Sequence, residues 1–567
     1  MNAAIALILG LIVVFIGYRF YARYIDRSVM RAQADKMTPA RMYMDGVDFV
    51  PTGRNVLFGY QFKSIAGAAP VIGAIMAAQW GWLPAMLWLF AGVLFIGWVH
   101  DYTSAMISVR SEGLTFGGLS YRLISPRARG ILLSFIYFYL LLVVSAFGAV
   151  VAKAVVSTGE AVVGLVVLTL AGVLAGQMIY RWKRDIVLTS AVTVVIAVGG
   201  VVAGNFLPAS TFLGAFAGKI WVWAAFAFLF SYLGATLPIW QFAQPVNYVS
   251  FYIIFLGLIG GMVGAFVGHP KFTLPAFTQP VIAIGPIWPM LFVTLACGAI
   301  SGWHSLVSSS GTARQLERET DARPVAAGSM FAEMMLGLLA LVAASVAFAG
   351  LPQFGAAMQA GGAGGVFASG LSKLLGYLGL PARVGATFAA VLIIILAITV
   401  MQLVLRFMRL ATAELVGERM PAMRNVQLAT LVACLLGMVL TLSGWWQYLW
   451  VLFGGANQLM ASLALLVVSI WLVSQRRKAT FTFIPMLFMF VTTIGALCYT
   501  SYNLLSKVSM SVAGGGELTV GAAIGNALMG VIAIFLVIAA LFLAYDGSRA
   551  LIRLRTSPPT EEASAPA

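Results

Sequence analysis

Apolar runs of about twenty residues recur along almost the whole chain, and they decide which solvent it folds in. The first is IALILGLIVVFIGYRFYARY, and comparable runs follow to residue 545. A bilayer offers backbone N–H and C=O groups no water, so such runs cross it as helices. Only 9% of the 567 residues are charged and 61% are hydrophobic, too little polar surface for a soluble fold. The expectation is an all-α polytopic membrane protein. Hydropathy and breakers give about fifteen spans: 3–22, 56–79, 83–108, 130–152, 159–179, 186–204, 219–243, 249–268, 287–311, 326–350, 385–405, 426–443, 448–474, 481–502 and 521–545. The first run has no small-residue cleavage site and reads as a retained helix, not a signal peptide. Cys297, Cys434 and Cys498 fall in separate apolar runs and read as small buried residues.

The net charge of +16 does not point to nucleic acid, because the basic residues punctuate the spans. With the N-terminus outside and the C-terminus inside, most of the 34 Lys and Arg residues fall in cytoplasmic loops. The outside set is Lys153, Lys219, Lys271, Lys373, Arg383 and Lys507. Arg406 and Arg409 read as positive-inside markers. Residues 25–54 read as a polar segment along the cytoplasmic surface, and the Gly/Ala-rich 351–381 has room for a short outer helix. The tail TSPPTEEASAPA reads as disordered.

A helix broken at membrane depth is tolerated only inside protein or beside a water-filled cavity, so breaks point to a transport site. Three spans carry break signals. In VLFGYQFKSIAGAAPVIGAIMAAQ, Gly67 and Pro70 sit near mid-span, with Lys63 one turn before. In FAFLFSYLGATLPIWQFAQP the signal is Gly234, Thr236 and Pro238, followed by Gln241 and Gln244. The third is CGAISGWHSLVSSSGTA at 297–313, where small and polar residues replace an apolar run. The bland alternative for the glycines is close helix packing. Spans two and seven, five apart, cross in opposite directions. The pattern therefore predicts an inverted repeat of five plus five spans, at 56–204 and 205–417. Residues 1–55 precede it, additional spans follow at 418–546, and the disordered tail is 547–567. A rival register starts the second repeat at span nine.

Lys63 is the one cation within a span, and an ammonium there costs at least about 2.5 kcal/mol. It reads as a carboxylate anchor, a titrating amine, a substitute for a bound cation, or a structural partner of Glu333. His100 and Asp101 in GWVHDYTSAMISVRSEG read as a proton relay or as interface residues. His304 reads as a proton-coupling imidazole or a neutral hydrogen-bonded one, and Glu333 as a proton carrier or a structural acid. Ser308, Ser309 and Thr312 offer hydroxyls to a cation or a substrate. The substrate-binding candidates are Lys63, Ser64, Gly67, Gly234, Thr236 and Gln241. The coupling candidates are Lys63, His100, Asp101, His304, Ser308, Ser309, Thr312 and Glu333. There is no phosphate-binding GxxxxGK[ST] loop, no HExxH and no paired-carboxylate site, so enzyme chemistry is not expected. No cofactor and no metal ligand set is expected, only a coupling proton or sodium ion.

Five segments together resemble the carbon starvation protein A (CstA) family. They are VLFGYQFKSIAGAAPVIGAIMAAQWGWLPAMLW, HDYTSAMISVRSEG, TLPIWQFAQPVNYVSFYIIFLGL, FVTLACGAISGWHSLVSSSGTARQLERETDARPVAAGSM and LFGGANQLMASLALL. The resemblance covers most of 50–475. It implies a five-plus-five, LeuT-like core of the amino-acid–polyamine–cation transporter type in a bacterial inner membrane. It also implies a secondary importer of a small carboxylate such as pyruvate, or of short peptides or amino acids, in the nutrient-starvation response. In related folds, hydroxyls at the place of Ser308 and Ser309 help hold a coupling cation. Two stretches depart from the family pattern. Tyr60 and Gln61 stand where a His pair is common, and AITVMQLVLRFMRL at 397–410 replaces a run resembling TTLDTATR. The rival functions are a membrane sensor or structural subunit, and a channel.

Overall fold

The computed structural model describes residues 1–514 and 518–556, without the side chains of 447–449, 451, 555 and 556. It is helical apart from turns and one small antiparallel hairpin that pairs Val281 with Pro286. Among the described residues eleven helices are long and apolar enough to cross a bilayer, or thirteen if two bent pairs, Arg54–Ile65 with Ala69–Trp80 and Ala209–Gly218 with Ile220–Thr236, each count as one span. α1 is Ala3–Met30; α2, Arg54–Ile65, and α3, Ala69–Trp80, form one span bent by 48°. Then follow α4 (Trp82–Val109), α5 (Pro126–Ser157), α6 (Ala161–Arg181), α7 (Ile186–Gly204), α8 (Ile220–Thr236) and α9 (Ala243–Gly268). A second interrupted span consists of α10 (residues 287–299) and α11 (residues 302–312). The chain continues with α12 (Glu319–Ala347), α13 (Leu351–Gly376), α14 (Ala382–Val416), α15 (Val426–Leu442), α16 (Trp446–Ser474), α17 (Thr480–Val512) and α18 (Val520–Thr556).

Burial sorts these helices into a core and a lipid-facing shell. In the apolar stretches of α14 and α16, 94% of residues are buried; in those of α1, α7 and α18, 33%. α5 and α14 pack along each other at the centre. α3, the second half of one broken span, packs on α12; α11, the second half of the other, packs on α4. α2 lies on α9, and α11 on α16. These exchanged partnerships are what a five-plus-five inverted repeat produces: each half brings a broken helix, and its second limb docks on the other half.

Several local readings change. Span seven is not interrupted at mid-depth. α8 runs unbroken through Gly234 to Thr236, and Pro238 lies in the turn to α9. The second break lies in span nine, within the expected stretch 297–313, where Ile300 (φ −159°, ψ 134°) and Ser301 (φ −141°, ψ 128°) are extended. The Gly/Ala-rich outer stretch forms α13, interrupted at Gly362 (φ 62°), where a side chain would be strained. Residues 45–53 do not merely skirt the surface: Val50 N donates to Arg314 O at 3.2 Å and Thr52 N to Gln315 O at 3.0 Å, which draws this segment beneath the core. α18 continues to Thr556, through the first part of the expected tail. Residues 557–567 of that tail lie outside the described residues.

Candidate functional site

The first break is built by sequence. α2 stops at Ala66 (φ −69°, ψ 82°), and α3 starts with Pro70 in its first turn, where a missing N–H costs nothing. The freed carbonyls find donors. Trp303 Nε1 donates to Ser64 O at 2.7 Å, and Lys63 Nζ donates to Ala66 O at 3.1 Å. Gly67 is held against α14 and α5, since a Cβ there would stand 3.2 Å from Val400 and 3.3 Å from Phe147. Ser64 Oγ donates to Tyr60 O at 2.5 Å and accepts from Asn247 Nδ2 at 3.1 Å, while Asn247 Oδ1 accepts from Gln402 Nε2 at 2.9 Å. α2, α9 and α14 are thus tied together by buried amides.

The second break rests on one side chain. Asn457 Oδ1 accepts from Tyr139 Oη at 2.8 Å, Ser301 Oγ at 3.2 Å and Trp303 N at 3.2 Å. Its Nδ2 points to Cys297 Sγ at 2.9 Å. Only glycine fits at 302, because a Cβ would lie 2.2 Å from Asn457 O. Beyond the break, Gln61 Nε2 donates to Ser308 Oγ at 3.1 Å, and Thr312 Oγ1 donates to Gln61 Oε1. Ser309 Oγ instead donates back to Ser305 O at 2.7 Å. The small polar residues of 297–313 therefore pay for a broken helix in a dry interior.

Beside this break four titratable side chains from α4, α11 and α12 form a fully buried line. Asp101 takes one imidazole on each oxygen: His100 Nδ1 stands 3.0 Å from Oδ1, and His304 Nδ1 stands 3.1 Å from Oδ2. As a carboxylate, Asp101 would accept from both Nδ1 atoms. His304 Nε2 lies 3.1 Å from Glu333 Oε2, off the direction of a good hydrogen bond. At that distance a single proton has two alternative seats, giving imidazolium beside carboxylate or imidazole beside carboxylic acid. Among the described residues no group of His, Cys, Asp or Glu is arranged to hold a metal ion. These four are strung end to end, which suits passing a proton.

Lys63 is fully buried and has no carboxylate within 4.0 Å among the described residues. It caps the broken helix and is not in contact with Glu333, whose charge reaches it only at longer range. Gly234, Thr236 and Gln241 do not join the breaks. Thr236 Oγ1 bonds back to Tyr232 O at 2.8 Å, and Gln241 sits in the turn after α8. Gly234 packs on Gln402, whose Oε1 would stand 2.1 Å from a Cβ.

At this same end Arg406 and Arg409 are buried partners of Asp48, at 2.6 and 3.3 Å, and not plain topology markers. Arg406 also donates to Gly234 O at 3.1 Å and Leu237 O at 2.5 Å. Burial pushes the Asp48 carboxyl up, but Arg406, Arg409 and Arg314 outweigh it and hold the group below its ordinary value. At the opposite end a cavity of about 350 Å³ descends between α3, α10, α16 and α17. Ala69, Cys297, Trp450 and Phe453 line it, and among the described residues Lys507 is its one charged lining residue.

Sequence reading missed Asn457, Asn247, Gln402 and Asp48. Asn247 and Asn457 are amides within otherwise apolar spans, the signal that was available. Gln61 and Gln402 both sit in the two stretches that depart from the family pattern, and both are buried hydrogen-bond partners of the site.

Over 561 residues the chain is 29% identical to the peptide transporter CstA of Bacillus subtilis, covering 90% of this chain and 92% of that one. It is 33% identical over 347 residues to the pyruvate/proton symporter BtsT of Escherichia coli, covering 60% of this chain and 48% of that one. The chain thus spans about half the length of several of its relatives. The structure of MhsT in complex with L-phenylalanine aligns with 88% of this chain and 99% of that one, at 11% identity and a TM-score of 0.45. The profile of the carbon starvation protein CstA family matches residues 2–353 and 352–496, and the chain, a multi-pass protein of the bacterial inner membrane, belongs to that family.

Proposed function

We propose that the protein is a secondary active importer of a small carboxylate such as pyruvate, or of short peptides, driven by protons. The observation that carries this is the buried contact of His304 Nε2 with Glu333 Oε2 at 3.1 Å beside the second break, continued through Asp101 to His100. A buried group that exchanges one proton next to an interrupted helix couples substrate binding to proton movement. The cavity above suits a carboxylate, since among the described residues its one charged lining residue is a lysine and no Asp or Glu lines it. Lys63 supplies a second cation at the level of the first break.

The proton reading is favoured over sodium because Ser308 and Thr312 are bonded to Gln61, and Ser309 to its own helix. For the repeat boundaries, the exchanged packing supports the register in which the second half begins at span nine, at residue 287. The end that carries Arg406 and Arg409 is assigned to the cytoplasm by the positive-inside bias. A sensor without transport is the rival reading. Purified protein in proteoliposomes decides between them. The expected result is accumulation of labelled pyruvate or peptide under an inward proton gradient and none under sodium alone; no accumulation with either gradient, for any of these substrates, rejects the proposal.

A further inference from the structure

A second cavity, of about 1040 Å³, lies at the basic end, remote from both breaks. It is enclosed by the end of α1, the segment after it, the turn following α4, and the end of α16 with residues 475–478. Among the described residues seven that line it are Arg or Lys and none is Asp or Glu. A positive-inside bias alone spreads basic residues over the loops; here residues from four separate parts of the chain converge on one hollow.

Two of the cations are fixed. Arg477 Nη1 donates to Val29 O at 2.8 Å and Met30 O at 2.6 Å. Arg110 donates to Arg31 O at 3.0 Å and pairs with Glu319 at 2.9 Å, so the one acid in contact is spent behind the wall. Arg31, Lys36, Arg122 and Lys478 are exposed on the rim. Such a hollow in an otherwise basic surface attracts a phosphate-bearing ligand.

The surroundings say which kind. The cavity opens at Tyr24, and α1 leads away from it as an exposed apolar stripe: Phe20 60%, Ile16 46%, Ile12 46% and Leu9 38% exposed. Tyr24 and Trp471 flank the transition, as aromatic residues do at a membrane interface. We propose that this cavity binds the headgroup of an anionic glycerophospholipid, whose acyl chains lie along the exposed face of α1. A free phosphate ester would use the cations but not the stripe.

The test uses the full-length protein in neutral detergent, titrated with dioleoyl phosphatidylglycerol, dioleoyl phosphatidylcholine or sn-glycerol 3-phosphate, with thermal unfolding as the readout. The parent should be stabilised by phosphatidylglycerol only. The combined Lys36→Gln, Arg122→Gln, Lys478→Gln variant should bind it roughly a hundredfold more weakly, at about tenfold per 1.4 kcal/mol and one cation's attraction lost at each position. A control with Arg181→Gln, Lys183→Gln and Arg184→Gln, in the loop between α6 and α7, should bind like the parent. If the combined variant does not fold, the single Lys478→Gln variant should still bind about fivefold more weakly. Equal loss in the control, no loss in the variants, or equal stabilisation by phosphatidylcholine or by glycerol phosphate overturns the proposal.

Discussion

Replacing Lys63 by Met separates folding from transport at the first break. The ammonium is fully buried, and its hydrogen bond goes to Ala66 O at 3.1 Å. Removing a charge at this depth relieves at least about 2.5 kcal/mol. Leaving the Ala66 carbonyl without its donor costs about 1–3 kcal/mol. The two nearly cancel, so Lys63→Met should fold, with unfolding in detergent shifted by less than about 4 °C. Uptake should behave differently, because the same amine fixes the end of α2 and supplies the cation at that level. Accumulation of labelled pyruvate or peptide in proteoliposomes under a proton gradient should fall at least about tenfold, the equivalent of 1.4 kcal/mol. Lys63→Arg should fail as well: a guanidinium stays charged and its planar fork overfills a fully buried site. Parent-like accumulation by Lys63→Met would reduce Lys63 to a cap. Parent-like accumulation by Lys63→Arg would make it a fixed charge that exchanges no proton.

Three other perturbations follow from particular contacts. Asn457→Ala removes the acceptor of Tyr139, Ser301 and Trp303 and the donor to Cys297, and should cost about 2–4 kcal/mol in detergent unfolding. Gly234→Ala sets a Cβ 2.1 Å from Gln402 Oε1, and should lower stability by about 1–3 kcal/mol, which shortening Gln402 to Ala in the same protein should recover in part. Asp48→Asn breaks a largely buried ion pair with Arg406 and should cost about 2–4 kcal/mol at pH 7. Because the folded-state value of Asp48 is depressed, its contribution is whole above the unfolded value of about 4 and is lost as pH falls below it; the stability gap between parent and variant should be constant from pH 8 to 5 and close only in acid.

Membrane class and helix positions were legible because hydropathy acts over whole spans, and each long apolar run found a helix. The break at Gly67 and Pro70 was legible because both residue types disfavour helix locally. The signal at Gly234 and Pro238 is chemically the same, yet it marks a helix end, because helix interiors and helix ends use the same breakers. The true second break, at Ile300 and Ser301, has no proline; it exists because Asn457, far along the chain, satisfies what it frees. The joining of His100 and Asp101 to His304 and Glu333 likewise depends on how α4, α11 and α12 pack, which spacing along the sequence does not encode. Arg406 and Arg409 looked like topology markers because their partner, Asp48, lies in a polar segment before the first broken span.

In the proposed mechanism one proton exchanged between His304 and Glu333 couples transport to the membrane gradient. Glu333→Gln removes that proton's second seat while keeping the side chain's size. In proteoliposomes loaded with a pH-sensitive dye, adding pyruvate or peptide outside should acidify the lumen with the parent. The Glu333→Gln protein should not acidify it, yet should still exchange labelled for unlabelled substrate across the membrane. Acidification by Glu333→Gln at the parent's rate would contradict the account.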